Sequence, residues 1–370
     1  MGSMPRYPSL LLNFRVMRNP IALLVNDLHI SKDNIAEFNA NWDEMISVCD
    51  DYDVSDVVIG GDIFTASASQ RLPVLLAVKH AIERASAKKL FLTIANGNHD
   101  KVSEEAIEGY CHVYEGCNKN VDIVDVYKIL EWEDCKFALV VMAYFPENGS
   151  FSDKLKELKD DLVNQYKYDL DHVILYIHEG IRGALGDFET PKEVPAEIFN
   201  DFHFVLAAHY HNRVELAGTD IMYIGSSRQN NFGEDEDKGY TILYDDGTTK
   251  FVKNEVNTRY ATLETSIEDI DDDFMQKLAD FHDCPPVPYK VRVRVKCTDA
   301  QAKVYDKKIL LDAGASKVEF ITDKSQAVVT QSTSIDEKYD KNGIKKEYQS
   351  FCNEKSIDSK LGMKYLDKLQ

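Results

Sequence analysis

Five short segments carry side chains able to bind a divalent cation: Asn26-Asp27-Leu28-His29, Gly60-Gly61-Asp62, Gly97-Asn98-His99-Asp100, His178-Glu179-Gly180 and His209-Tyr210-His211. Carboxylates, imidazoles and an amide oxygen together form a donor set for borderline ions such as Mn²⁺, Fe²⁺ or Zn²⁺. Seven or more donors are too many for one ion, so the chemistry implied is that of a two-ion site. Taken singly, each segment is a weak signal. Asp-x-His and Gly-Asp are common in turns and caps, Gly-Asn-His-Asp also suits a tight loop, and His209 and His211 suit a surface pair. All five in order, each behind an apolar run, are hard to explain that way.

Those apolar runs are the elements that must position the donors. Ile21–Val25, Val57–Ile59, Leu90–Ile94, Ala138–Met142, Val173–Ile177 and Phe204–Ala208 read as strands, too continuous in apolar residues to be half exposed. Helical spacing over Ile35–Val48, Pro73–Ala85 and Ser152–Tyr166 separates some of them, the last with Ser152 as expected N-cap. Strands alternating with helices imply an α/β layered domain, and in such sheets ligands bind beyond the carboxyl ends of the strands. Five of the six strands deliver Asp, Asn or His to that rim. From Ile221 onward the pattern becomes successive strands, with Asp245-Asp246-Gly247 as a hairpin turn.

Composition bounds the rest. The 370 residues are 44% hydrophobic and 29% charged, which is ordinary for a globular chain. No run approaches the roughly 18 apolar residues of a membrane span, and Leu10-Leu11-Leu12 is too short for a signal-peptide core. Met1-Gly2-Ser3-Met4 reads as a cloning remnant, with the native start expected at Met4 or Met17. Seven cysteines with no CxxC pair fit a reduced, intracellular, cytoplasmic protein (a host cytoplasm for a viral one). The formal charge of −20 argues against a nucleic-acid binder, which normally shows a basic footprint. Its distribution weakens that argument: residues 285–370 hold 17 Lys+Arg and 12 Asp+Glu, so the acidic excess lies before them. The expected organisation is an N-terminal extension (1–20), a catalytic domain (21–262), an acidic and Pro-rich linker (263–288), a small α/β cap (289–340) and a helical tail (341–370).

The order of the motifs resembles the calcineurin-like metallophosphoesterase superfamily, whose pattern runs D-x-H, G-D, G-N-H-D/E, H, G-H-x-H. The resemblance covers about residues 21–256 and implies a layered β-sandwich flanked by helices. One departure is Ala208, where the family usually has Gly; a modest local change with intact ligation is expected. By this resemblance Asp27, His29 and His211 would hold one ion and Asn98, His178 and His209 the other. Asp62 would bridge them, since a carboxylate spans ions roughly 3.5–4 Å apart. A water activated to hydroxide by both ions would attack phosphorus. His99 would stand over the phosphate as proton donor or charge stabiliser, with Asp100 fixing its tautomer.

The superfamily acts on many phosphoesters, and the ligand set does not choose among them. The stretch Ile221 to Glu234, with Gly225-Ser226 and Phe232-Gly233-Glu234, followed by Lys238-Gly239-Tyr240, is similar to the corresponding stretch of SbcD-type DNA repair nucleases. That resemblance implies a Mn²⁺-dependent DNA exonuclease or endonuclease, with Mg²⁺, Fe²⁺ or Zn²⁺ as alternatives for its two ions. It further implies a small cap, a homodimer, and an SbcC-type coiled-coil ATPase as partner in recombination and repair. In Tyr289–Lys296, Lys290, Arg292, Arg294 and Lys296 alternate with valines and share one face. They are candidate DNA contacts, with an ordinary solvated strand face as the even alternative. The tail could grip the ATPase or be a plain terminal helix. Two other readings stand beside the nuclease: a phosphodiesterase or phosphatase acting on small nucleotides or phosphoproteins, and a metal-site scaffold without activity.

Overall fold

The computed structural model describes residues 18–103, 106–146, 150–186, 192–284, 287, 289–322, 348–349, 351–352 and 358–366. The chain divides into two compact units, Met1–Val295 with Tyr305–Glu319, and Lys296–Val304 with Phe320–Gln370.

The larger unit is built on two six-stranded sheets. The first uses strands β1 (Pro20–Val25), β2 (Asp56–Ile59), β3 (Phe91–Ala95), β4 (Val121–Val124), β11 (Gly239–Tyr244) and β12 (Thr249–Lys253), in the order β12-β11-β1-β2-β3-β4. The second uses β5 (Tyr127–Leu130), β6 (Ala138–Met142), β7 (Val173–His178), β8 (Phe204–Ala208), β9 (Val214–Glu215) and β10 (Ile221–Tyr223), in the order β5-β6-β7-β8-β10-β9. Helices α1 (Ile35–Tyr52), α2 (Leu72–Ala87) and α3 (Ser150–Asp160) flank them.

Strand period dictates this layering. Leu23, Val25, Val57 and Ile59 face the core shared with Phe38 and Trp42 of α1 and Val78 of α2. Their neighbours Ala22, Leu24 and Val58 turn the other way and meet Leu139, Val141, Ile174, Tyr176 and Leu206 of the second sheet. Val140, Leu175, Ile177 and Val205 of that sheet pack against Phe151, Leu155 and Leu158 of α3. Each central strand is therefore buried on both faces, as its unbroken apolar run requires. The architecture is an α/β sandwich of two mixed sheets between helices.

The parallel strands run in register toward one rim. Val25 lies beside Ile59, Ile59 beside Ile94, and His178 beside Ala208. The loops after β1, β2, β3, β7 and β8 hold the five motif segments, so both sheets contribute to the same edge of the sandwich.

Several expectations need correction. Helix α3 starts at Ser150, not after Ser152, because Phe151 supplies the first residue of its buried face with Leu155 and Leu158. The segment read as a linker carries regular structure: β13 (Arg259–Ser266) runs into it and α4 (Asp272–His282) occupies its middle. Its carboxylates serve the helix. Asp271 is the N-cap, accepting from the Phe274 N–H at 2.9 Å, and Asp272 and Asp273 sit in the first turn, where the helix dipole favours negative charge. Strand β14 (Tyr289–Cys297) alternates as its sequence predicts, with Val291, Val293 and Val295 fully buried, and it lies between β13 and β15 (Ala315–Thr322) in a three-stranded sheet. Helices α5 (Asp299–Val304) and α6 (Lys308–Asp312) separate β14 from β15, and α7 (Lys360–Leu366) lies in the tail. Most of the N-terminal extension, residues 323–340 of the expected cap and much of the tail lie outside the described residues.

Candidate metal centre

The seven donors singled out in the sequence converge. Asp62 Oδ2 lies 3.4 Å from His178 Nε2 and 3.7 Å from His29 Nε2. Asp27 Oδ1 lies 3.7 Å from the Nε2 atoms of both His29 and His211. Asn98 Oδ1 is 3.1 Å from His178 Nε2 and 3.1 Å from His209 Nδ1. Among the described residues, two groups bring their donor atoms within 4.8 Å of one another: Asp27, His29 and His211, and Asp27, Asp62 and His178. Asp27 thus reaches both groups, where the family resemblance assigned the spanning position to Asp62 alone.

Backbone geometry explains how loops this short aim so many side chains inward. Asp27, His29, Asp62 and His209 all adopt left-handed conformations, with φ of 53°, 45°, 55° and 90°. Such residues cost about 1–3 kcal/mol each, and they persist where neighbours hold them. Here the β1 and β2 loops are tied together: the Asp27 N–H donates to Gly61 O and the His29 N–H to Asp62 O, both at 3.0 Å. Ala208 stays in β8 with negative φ and is fully buried, so the strand end tolerates it and the left-handed turn falls on His209 instead.

The donor set fits a cation. Asp27 Oδ1 is buried and receives no hydrogen bond. His29 Nδ1 faces Phe64 O at 3.2 Å, His178 Nδ1 faces Gly60 O at 2.8 Å and His211 Nδ1 faces Glu234 Oε1 at 2.8 Å. With Nδ1–H committed outward, the Nε2 lone pairs point into the cluster, and those of His29 and His211 lie only 3.0 Å apart. Buried lone pairs gathered around an unsatisfied carboxylate oxygen are what a metal ion satisfies. The electrostatics agree. Burial disfavours charge on His178, yet Asp62 and Asp27 raise it to about 10. His209, buried beside His178, is lowered to about 4. Burial would raise Asp62, but His178 and His29 hold it well below the ordinary carboxylate range.

His99 and Asp100 have different surroundings from those expected. The His99 ring sits edge-on to His29, centroids 5.2 Å apart, and its Nδ1 is 2.7 Å from Thr65 O. That carbonyl sets its tautomer. Asp100 instead accepts three backbone N–H bonds, from Asp62 at 2.7 Å, Gly97 at 2.8 Å and Phe64 at 3.0 Å, and so clamps the β2 and β3 loops together. Its burial and the neighbouring Asp62 raise it to about 7. The spacing in Gly97-Asn98-His99-Asp100 does not reveal which donors the carboxylate meets.

A cavity of about 490 Å³ opens over the cluster, lined by His29, Asp62, His99, His209 and His211 together with Glu37, Arg228, Asn230, Tyr260 and Lys290. Of the four candidate DNA contacts, Lys290 lines this cavity. Arg292 and Arg294 are engaged by carboxylates: Arg294 Nε is 3.2 Å from Glu319, and an Arg292 nitrogen is 3.9 Å from it. Lys296 is exposed. Three supporting residues escaped sequence reasoning. Glu234 orients His211, Thr65 orients His99, and buried Arg228 donates to the carbonyls of Leu28 and His29 at 3.2 and 3.1 Å. Glu234 and Arg228 do fall in the stretch after the last histidines that carried the second resemblance.

No protein-family model matches the sequence. The SbcD subunit of the nuclease SbcCD from Staphylococcus saprophyticus is 24% identical over 212 residues, covering 50% of this chain and 54% of that protein. The chain therefore spans about half the length of the curated relative it matches. Among solved structures, that of the Pseudomonas putida nuclease MPE is similar over 62% of this chain and 87% of its own, at 15% identity and a TM-score of 0.29. Among the described residues, no helix is long and apolar enough to cross a membrane.

Proposed function

We propose that this chain is a divalent-metal-dependent nuclease that hydrolyses DNA phosphodiesters. The observation that carries the reading is the convergence of Asp27, His29, Asp62, Asn98, His178, His209 and His211 under one cavity, with His99 at its edge. Asp27, His29 and His211 would hold one ion, and Asn98, His178 and His209 the second. Asp62, with an oxygen near histidines of both sets, would join them. Such ions, Mn²⁺ by preference, supply Lewis acidity to a phosphoester and to its attacking water.

The chain's own residues do the remainder. With Nδ1–H held by Thr65 O, His99 carries a proton on Nε2 only as the imidazolium. In that form it donates to the leaving oxygen and offsets the charge developing on phosphorus. Asp100 keeps the β2 and β3 loops in place. Sequence similarity to the SbcD component of an SbcCD nuclease supports DNA as substrate and an SbcC-type ATPase as partner, within recombination or repair in the cytoplasm. The homodimer belongs to the same proposal, and light scattering reads it directly.

The test supplies Mn²⁺ and compares linear and single-stranded DNA with p-nitrophenyl phosphate esters and cyclic nucleotides. DNA hydrolysis is expected. Rapid turnover of the small esters with DNA left intact would replace the nuclease by a small-molecule phosphodiesterase or phosphatase. No metal-dependent hydrolysis of any of them would leave a scaffold.

A further inference from the structure

The cavity over the cluster is walled in part by residues that hold no cation. Tyr260 of β13 and Lys290 of β14 both line it. They belong to a short series in which cations and rings alternate. Lys290 Nζ lies 5.1 Å from the centre of the Tyr260 ring, and the Arg292 guanidinium lies 5.1 Å from that of Phe232. The two rings meet edge to face, centres 5.1 Å apart at 85°. Both are half-buried, not withdrawn into a core.

Tyr260 is also held still. Buried Gln229 grips its backbone on both sides: Gln229 Oε1 accepts from the Tyr260 N–H at 2.8 Å, and Gln229 Nε2 donates to Tyr260 O at 3.3 Å. Lys290 is held loosely by contrast. It is 46% exposed, and its contacts with Glu37 Oε1 and the Tyr260 hydroxyl are long, 3.4 and 3.2 Å. A fixed aromatic ring beside a cation free to exchange partners is the pairing that binds a nucleotide in single-stranded form. The ring takes the base and the cation the phosphate.

We propose that Tyr260 is a stacking platform for an unpaired nucleobase adjoining the hydrolysed phosphate, with Lys290 as the phosphate contact. This rests on the nuclease reading above and adds the form of the substrate. Lys290 leaves the ring face for a phosphate oxygen, and the base replaces it. A base inside a duplex has both faces already stacked, so only a splayed or single-stranded residue can use the ring. The chain should therefore favour single strands and frayed ends over blunt duplex.

The experiment uses the full chain with Mn²⁺ and two single-stranded oligonucleotides, identical except that one carries abasic residues. The wild-type protein is expected to show a kcat/KM about tenfold higher on the base-bearing strand. Tyr260→Leu should bring the ratio close to one, Tyr260→Phe should preserve it, and Lys290→Met should lower both rates together. Equal wild-type rates on the two strands would overturn the proposal, a result that needs no variant to fold. So would a Tyr260→Leu enzyme that keeps the preference. Absence of hydrolysis on both strands, with small esters turned over, would remove the nuclease reading and this inference with it.

Discussion

At the scale of single residues, Asp62 and His99 separate holding a metal from using it. Asp62 Oδ2 lies near His178 and His29, while its Oδ1 accepts the His99 N–H at 2.9 Å. Asp62→Asn removes the charge that opposes the buried imidazoles and cations, so bound metal and hydrolysis should fall together. His99 contacts the cluster through its ring edge only, with Nδ1 on a backbone carbonyl. His99→Ala should therefore keep its metal and lose about 10²–10⁴-fold in rate, the usual worth of a positioned proton donor. Metal content after gel filtration, measured beside hydrolysis, separates the two variants. An alanine variant that loses its metal would make His99 a ligand and end its assignment as the acid.

At the scale of elements, the loops after β2 and β3 pass so close that their glycines have no room for a side chain. A Cβ on Gly97 would sit 2.2 Å from Asp62 Oδ1 and 2.4 Å from the Asp62 backbone nitrogen. Neither atom can swing away, since Asp100 holds that nitrogen and the carboxylate is committed to the cluster. Gly97→Ala should cost about 1–3 kcal/mol of stability and weaken metal binding as well, read by urea unfolding and by metal titration. Unchanged stability would mean that the loops are looser than they look. This closeness also explains what the sequence could disclose. The strands leading to the rim are buried on both faces, so their apolar runs were unmistakable, and the donors were legible because each follows such a run. Strands β4 and β5 mix polar and apolar residues at sheet edges and gave no comparable signal. Helix α4 was hidden by its own cap: the carboxylates at Asp271–Asp273 looked like a charged linker, while Leu278 buries the face behind them. Partners reached through the fold, such as Thr65 for His99 or Tyr260 for Lys290, have no spacing to betray them.

At the scale of the whole molecule, the charge decides how nucleic acid can be held. With 43 Lys+Arg against 63 Asp+Glu, long-range attraction for a polyanion is absent, and the basic strand face offers less than its four residues suggest. Arg292 and Arg294 already neutralise Glu319, and Arg294 lies 3.8 Å from Glu264. Under the proposed reading, binding must come from a few local cations: the ions in the cluster, Lys290, and the stacking face beside it. Each protein cation that replaces a counterion adds about 0.7 to the slope of log affinity against log salt on single strands. A chain relying on one or two such contacts should give a slope near 1, far from the steep dependence of proteins with many phosphate contacts. Chelation should then remove most of the remaining affinity, because emptying the cluster leaves Asp27 and Asp62 uncompensated beside the phosphate. Fluorescence anisotropy of a labelled single strand, with His99→Ala to prevent cleavage, measures both effects across a salt series with Mn²⁺ or with chelator. Tight binding that survives chelation, or a steep slope, would mean that a basic surface elsewhere on the chain holds the nucleic acid.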